Sequence, residues 1–350
     1  MSDSSCGPTH SGPSLQPDCE QAAGRASERL PPVPRVSVVI PAYNYGRFIV
    51  AAVESVLAQS LAPHEVIVVD DGSTDETTQA LEPFGDRIRV LQQKNQGVGA
   101  ARNTGGTHAT GDLIAFLDAD DMWLPTKLEK QVRRFADDPD LGLVHCGVLE
   151  VDAAGRPLRQ ILDGMEGCVA REMLLFRRNV ILGGGSAMMV SRHAFESTGG
   201  FDARLPPTED WDFWYRVARK FRVGFVPEIL VRYRCHGDNH SRNLKKREQG
   251  VMLIYEKAFA DPDPGLRHLR RQAYGNLHMG LAGFYFSAGQ PVDALRHVIR
   301  SLWLTPFNGL RLLGYPFRYL SRFLRERPDE PALSGDSSQP PSSIRATGRS

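Results

Sequence analysis

The sequence predicts an α/β protein with an open, mostly parallel twisted sheet, helices on both faces and a helical extension on its C-terminal side. Three observations carry this. Short β-branched runs alternate with helix-length amphipathic or small-residue segments through the first half of the chain. Each of the main runs ends in a polar cluster rich in Asp, Asn, Gly or Ser. Residues 250–325 read as helical.

Val36-Ser-Val-Val-Ile40 is a compact run stopped by Pro41, which predicts a buried first strand. Asn44 is placed to cap a helix to about residue 59, because Ile49, Val53, Val56 and Leu57 share one face. Glu65-Val-Ile-Val-Val69 is the second strand, followed by an Asp-Gly-Ser-Thr turn and a short helix at 76–81. A third strand is expected at 87–91 and a Gly/Ala-rich helix at 97–107. Leu113-Ile-Ala-Phe-Leu117 is a fourth strand running straight into Asp118. In such sheets ligands bind at the carboxyl ends of strands, so the polar clusters after Ile40, Val69 and Leu117 converge on one cleft. Residues 140–235 are more mixed, with a helix near 211–220, and 288–299 resembles a helical-hairpin turn in a single copy.

Residues 1–34 and 327–350 are rich in Ser, Pro and Gly and are expected to be disordered. Net charge is +1 from 42 basic and 41 acidic residues, which argues against nucleic acid as the main partner. Cys6, Cys19, Cys146, Cys168 and Cys235 are dispersed, with no Cys-x-x-Cys pair, and read as reduced thiols. The N-terminus lacks the basic start and apolar stretch of a signal peptide. No apolar run reaches the roughly 18 residues of a membrane helix. The expected location is the cytoplasm.

Phe116-Leu-Asp118-Ala-Asp120-Asp121 sets three carboxylates at a strand end with almost no spacer. Their repulsion is costly unless a cation offsets it. Oxygen ligands suit Mg²⁺ or Mn²⁺ shared with substrate phosphates, so this strand end is built to grip a metal–diphosphate. A solvated acidic turn is the bland alternative. After the second strand, Asp70 or Asp71 is placed to accept from a base or ribose edge, with Gly72 allowing a tight turn. Ser73 or Asp75 also fits an ordinary helix cap. Asn95-Gln-Gly97-Val-Gly99-Ala-Ala-Arg102-Asn103 departs from the dinucleotide fingerprint, because Arg102 replaces the third glycine and the motif follows the third strand. A dehydrogenase is rejected; the segment reads as a small-residue helix packed on the sheet, with Arg102 aimed at the ligand.

Together, Val38-Val-Ile-Pro-Ala-Tyr-Asn44, the Asp-Asp-Gly-Ser-Thr-Asp75 turn, Gly97-x-x-x-Ala-Arg-Asn103 and Leu117-Asp-Ala-Asp-Asp121 resemble family 2 glycosyltransferases of the GT-A fold, over about residues 35–240. The resemblance implies an inverting transfer from a nucleotide diphosphate sugar, a UDP-sugar first among the candidates, to a glycan or lipid-linked acceptor. It implies that Pro41, Tyr43, Asp70, Asp71 and Arg102 line the nucleotide pocket, Asp118 meets the ribose side and Asp120 ligates Mn²⁺ or Mg²⁺. Pro207-Thr-Glu209-Asp210-Trp-Asp-Phe-Trp214 resembles the family's Glu-Asp block. Asp210 is the expected base, because displacement at the anomeric carbon needs a carboxylate to take the acceptor proton. Glu209 and Asp212 read as orienting or capping residues. Trp214 reads as core, and Trp211 as either core or a platform for an acceptor sugar. Gly199-Gly200-Phe-Asp202 matches the loop that shapes the acceptor pocket. Gly183-Gly-Gly185 reads as a close backbone approach or a flexible turn.

Arg232-Tyr-Arg-Cys-His236 followed by Asn239-His-Ser241 resembles the family segment that closes over the diphosphate, which makes His236 a candidate metal or pyrophosphate ligand, against a structural histidine. A helical extension over 241–326 is expected. In it the basic run 242–247 and Arg311, Arg318, Arg322 and Arg325, interleaved with Leu312, Leu313, Phe317, Leu320 and Phe323, read either as an amphipathic contact with the inner face of a membrane or as a helix packed on the catalytic domain. Two rival functions are a nucleotidyltransferase, which wants a Gly-rich basic loop where Pro-Ala-Tyr-Asn stands, and a non-catalytic nucleotide-sugar binding module.

Overall fold

The computed structural model describes residues 34–205, 207–236, 243–261 and 264–310. Strands β1 (Val36–Ala42), β2 (Glu65–Asp70), β3 (Arg89–Gln92) and β4 (Leu113–Phe116) lie where the β-branched runs place them. β1 pairs in parallel with β2 and β4, and β2 with β3. Alternate residues feed two cores: Val39, Ile67 and Phe116 on one face, Val38, Val68 and Ala115 on the other. A sheet buried on both faces needs apolar residues in both phases, which is why these strands read as continuous runs.

Helix α1 (Gly46–Leu57) covers one face through Ile49, Ala52, Val53 and Val56. After the short α2 (Thr77–Leu81), α3 (Val98–His108) covers the other face. Its small residues permit a close approach: a Cβ on Gly105 would lie 2.2 Å from Val39 Cγ1. Asn44 does not cap α1. It sits at φ +59 and the cap position is Tyr45, because Asn tolerates the left-handed region and its side chain serves another loop.

Beyond β4 the sheet is mixed. The order is β3-β2-β1-β4-β8-β6-β9-β5, with β7 on β6, where β5 is Met122–Trp123, β6 Leu141–Val151, β7 Pro157–Ile161, β8 Met189–Ser191 and β9 Arg222–Arg234. β8 runs antiparallel to β4 and β6, while β6 and β9 are parallel. Helices α4 (Lys127–Asp137), α5 (Ala170–Leu175), α6 (Gly184–Ala187), α7 (Arg192–Thr198) and α8 (Glu209–Lys220) complete this half.

The extension forms α9 (Leu244–Ala260), α10 (Pro264–Ser287) and α11 (Pro291–Leu304). The Tyr255 hydroxyl of α9 donates to the Leu174 carbonyl (2.6 Å), and Asn276 of α10 donates to the Leu175 carbonyl (2.8 Å). α10 and α11 make the expected hairpin, with Ser301 donating to the Gly275 carbonyl (2.7 Å). Among the described residues no helix is long and apolar enough to cross a membrane. Cys146 is a buried free thiol, but Cys168 is disulfide-bonded, so the expectation of reduced thiols throughout fails there; pairing depends on proximity in space, which dispersed spacing does not reveal. The segments 1–33 and 311–350, and Asn239-His-Ser241, lie outside the described residues.

Candidate active site

The strand order sets the loops after β1, β2 and β4 side by side. A latch joins the first two: the Asn44 amide donates to Ser73 Oγ (3.0 Å), and the Thr74 amide donates to Asn44 Oδ1 (2.8 Å). Asp75 adds a second tie, accepting from the Gly46 amide at the start of α1 (3.0 Å). Pro41 is buried within β1 and Tyr43 is exposed beyond it.

Asp70 and Asp71 are both buried and have different partners. Asp70 accepts from the Ser73 amide (2.9 Å) and Thr78 Oγ1 (2.8 Å), so it closes its own turn. Asp71 accepts from Gln93 Nε2 (2.7 Å) and the amides of Gln96 (2.9 Å) and Gly97 (2.7 Å), fixing the entry to α3. The helix-cap reading of Ser73 gives way to this loop-shaping role, whereas Asp75 does bind the Thr77 amide of α2 (3.0 Å).

Arg102 projects from α3 and is nearly inaccessible. Its guanidinium donates to Asp118 at 2.6 Å, Asp210 at 2.6 Å and Glu209 at 3.1 Å. Burial works against its charge, but the Asp118, Asp210 and Glu209 carboxylates outweigh that and raise its affinity for the proton. The sequence aims Arg102 at the ligand; in the fold it joins the β4 loop to the first turn of α8. Gly185 makes room for it, since a Cβ there would lie 2.6 Å from Arg102 Nη2; the Gly183–Gly185 segment is therefore a close approach.

The Asp118-Ala-Asp120-Asp121 loop is strongly anionic. Burial, then Asp118, push the Asp120 carboxyl above the usual range, with His236 opposing. Asp121 is pushed well above it by burial and by Asp120 and Asp118. Its Oδ2 accepts from Ser186 Oγ and its Oδ1 from the Arg234 amide (2.7 Å). Ser186 Oγ also accepts from the Asp118 amide (3.0 Å). His236 Nε2 lies 2.9 Å from Asp120 Oδ2, and its ring packs at 5.3 Å on Phe48. The Asp120 carboxylate offers the oxygen ligand that Mn²⁺ and Mg²⁺ take, and the His236 imidazole beside it adds a nitrogen, a softer ligand than hard Mg²⁺ prefers. Among the described residues no three His, Cys, Asp or Glu side chains form a group able to hold a metal by themselves.

On the other side of Arg102, Glu209 and Asp210 open α8, where the helix dipole favours acids. Burial pushes the Asp210 carboxyl up to about 7; Arg102 opposes this, while Glu209 and Asp118 add to it. Asp212, with Arg216 (2.7 Å) and Lys257 (2.6 Å), is a structural ion-pair centre. Trp211 stacks on Tyr215 and Tyr255, with centroids at 6.1 and 5.8 Å. Trp214 is core, with its indole N–H on Met188 Sδ (3.1 Å).

Gly200 adopts φ +68, and a Cβ there would lie 2.4 Å from Asn103 Oδ1. Asn103 clamps this loop by accepting from the Phe201 amide (2.7 Å) and donating to the Phe201 carbonyl (2.8 Å). Sequence reasoning assigns no role to Asn103, although it stands inside a quoted motif. It also misses Ser186 and Arg234, whose Nε donates to the Asp120 carbonyl (2.9 Å). Ser186 follows the glycine run directly, which is the one local signal for it. Tyr233 carries no sequence signal of its own: its hydroxyl is pushed above the ordinary range by burial, then by Asp121, Asp118 and Asp120.

The family described as Glycosyl transferase family 2 matches residues 37–199, which hold the whole parallel half of the sheet and the Asp118–Asp121 loop. An uncharacterized glycosyltransferase of Rickettsia felis is 30% identical over 229 residues, 63% of this chain but 38% of that protein. The chain thus spans well under two thirds of that relative's length. The putative teichuronic acid biosynthesis glycosyltransferase TuaG of Bacillus subtilis is 32% identical over 230 residues, 64% of this chain and 88% of TuaG. Among solved structures, Staphylococcus aureus TarS 1–349 with UDP-GlcNAc aligns at TM-score 0.56 and 18% identity, over 76% of this chain and 81% of that one. The mannosyltransferase PcManGT of Pyrobaculum calidifontis, with GDP-Man and Mn²⁺, aligns at 0.55 and 21% identity, over 87% and 89%. These likenesses establish the GT-A type fold. With nearly all of TuaG matched, and with the four quoted motifs gathered at one edge of that fold, the chain belongs to glycosyl transferase family 2.

Proposed function

We propose that residues 35–240 form the catalytic domain of an inverting glycosyltransferase that moves a sugar from a nucleoside diphosphate, first a UDP-sugar, to a hydroxyl of a glycan or lipid-linked acceptor. The observation that carries the reading is the Arg102 hub, which draws the carboxylate at the end of β4 and the two at the start of α8 onto one guanidinium. Such a hub supports a site where a donor-side and an acceptor-side acid act on one reacting centre. Pro41, Tyr43, Asp70, Asp71 and Asp118 line the nucleotide side, with Asp70 and Asp71 also shaping its loops. Asp120 and His236 would hold a divalent cation, completed by diphosphate oxygens. When bound, that cation supplies Lewis-acid stabilisation of the departing diphosphate.

The Asp210 carboxylate takes the acceptor proton as the acceptor oxygen bonds to the anomeric carbon. The bond from that carbon to the diphosphate oxygen breaks with its electron pair on the leaving group. Glu209 positions Arg102, and Gly200 shapes the acceptor side. Trp211 offers its indole to an acceptor sugar, a role that fails if Trp211→Phe keeps normal acceptor affinity. The TuaG likeness favours surface polysaccharide assembly as the context. A non-catalytic binding module is the second reading, and the acids beside Arg102 weigh against it.

Nucleoside diphosphate release from a panel of nucleotide sugars, with Mn²⁺, Mg²⁺ or chelator, tests the proposal. Metal-dependent release from one donor, abolished in Asp120→Ala and lowered by about 10²–10⁴ in Asp210→Asn, is expected. Donor binding without release, when acceptors are also supplied, would favour the binding module. No binding of any nucleotide sugar would refute the reading.

A further inference from the structure

Helix α11 packs on α10 through Ala294, His297 and Ser301, all buried. Its opposite side carries Val292, Leu295, Ile299 and Trp303, which are 81%, 58%, 60% and 79% exposed. Their spacing of three, four and four residues sets them in one line along the helix. Arg296 and Arg300 flank this line and are exposed, Arg296 already pairing with Glu248 (3.3 Å) and Asp293 (3.5 Å). Four large apolar side chains in a row on a solvent-facing helix are a costly arrangement for a surface that only meets water.

From this stripe we infer that α11 docks on an anionic phospholipid surface, lying in the plane of the headgroups. Charge complementarity selects this occupant. Residues 264–304 contain Arg267, Arg270, Arg271, Arg296 and Arg300 against Asp293 alone, so five minus one gives +4. The whole chain is only +1, so the remaining residues sum to −3. The positive charge is therefore concentrated on the hairpin that bears the apolar stripe. In the interface, Val292, Leu295, Ile299 and Trp303 bury apolar surface, while the Arg300 stem extends so that its guanidinium reaches phosphates. Trp suits that depth, with an apolar body and one polar N–H.

The same charge disfavours the other occupants. A second copy would bring a like-charged hairpin against the stripe. One line of four side chains is also small beside the roughly 800 Å² per partner of a stable interface. The chain's own residues 311–350 carry seven arginines against four acids, +3, and so offer the stripe no complementary negative charge. This inference is independent of the glycosyl-transfer proposal, because its surface lies outside the Arg102 site and binding is read without turnover.

The test is co-sedimentation of the full-length chain with phosphatidylglycerol–phosphatidylcholine vesicles and with pure phosphatidylcholine vesicles, at low and high salt. Binding to the anionic vesicles, weakened by salt and weak on neutral ones, is expected. The double variant Ile299→Ser/Trp303→Ser should partition about tenfold more weakly or worse, with an unchanged circular dichroism spectrum because both side chains are exposed. Arg300→Glu should weaken binding to the anionic vesicles alone. Absence of sedimentation, equal binding by the double variant, or equal binding to neutral vesicles would each overturn the inference. So would light scattering showing a dimer that the double variant dissociates, which would give the stripe to a second copy.

Discussion

Replacing Arg102 by Met keeps most of the side-chain volume and removes the charge that three acids share. The guanidinium is 3% exposed, with Asp118 and Asp210 at 2.6 Å and Glu209 at 3.1 Å. Removing one partner of a buried ion pair costs about 3–5 kcal/mol, because the other charge is left uncompensated. Asp118 and Asp210 keep partial solvent access, so water recovers part of that loss and the lower end, about 3 kcal/mol, is the expected figure. The deficit must also depend on pH. Without the cation, Asp210, already raised to about 7, rises further above its unfolded value. A carboxyl raised on folding contributes stability that is fully present below the unfolded value and lost as pH rises through the folded one. The variant should therefore lie closest to wild type at about pH 5 and fall furthest behind above about pH 8, each further tenfold loss of acidity at Asp210 adding about 1.4 kcal/mol. Urea unfolding midpoints at the two pH values, with chelator present, measure this. A deficit below about 1 kcal/mol at both, or one that shrinks as pH rises, would refute the electrostatic account of the hub.

Three further outcomes follow from the same geometry. Donor turnover should climb between about pH 6 and pH 8 as Asp210 ionises near 7, and the residual rate of Asp210→Asn, lower by about 10²–10⁴, should lack that limb. Gly105→Ala places a methyl 2.2 Å from Val39 Cγ1 and should cost about 1–3 kcal/mol by thermal or urea unfolding. His236→Gln should raise the Mn²⁺ concentration for half-maximal turnover by about tenfold or more while donor binding in excess metal is retained; an unchanged metal titration would make His236 structural.

The parallel half of the sheet was legible because its physics is local. A strand buried on both faces must be apolar in both phases, and the runs at 36–40, 65–69 and 113–117 announce that directly. The acids at the strand ends were legible for the same reason, since the sequence that ends a strand also begins its loop. What the residues join across long separations was hidden. Asp121 and Ser186 lie 65 positions apart, and Arg102 and Asp210 lie 108 apart, so their pairing follows from where β8 and α8 return to the sheet. The antiparallel placement of β8 between β4 and β6 leaves no mark in a run as short as Met189–Ser191. Asn44 shows the opposite hazard: a residue type favoured at helix caps also suits a left-handed loop position, and neighbouring sequence does not separate the two.

The Asn44 latch bears on how such a site can change. The loop after β1 and the loop after β2 each supply a donor and an acceptor to the other, and Asp75 of the second holds the first amide of the helix that follows the first. Neither loop has a self-contained shape. Exchanging one of them alone with a relative's would strand polar groups on both sides, whereas exchanging the two as a pair keeps the bonds of the latch inside the transplanted unit. New nucleotide preference at this edge is thus expected to be inherited, or engineered, in units of two segments some thirty residues apart.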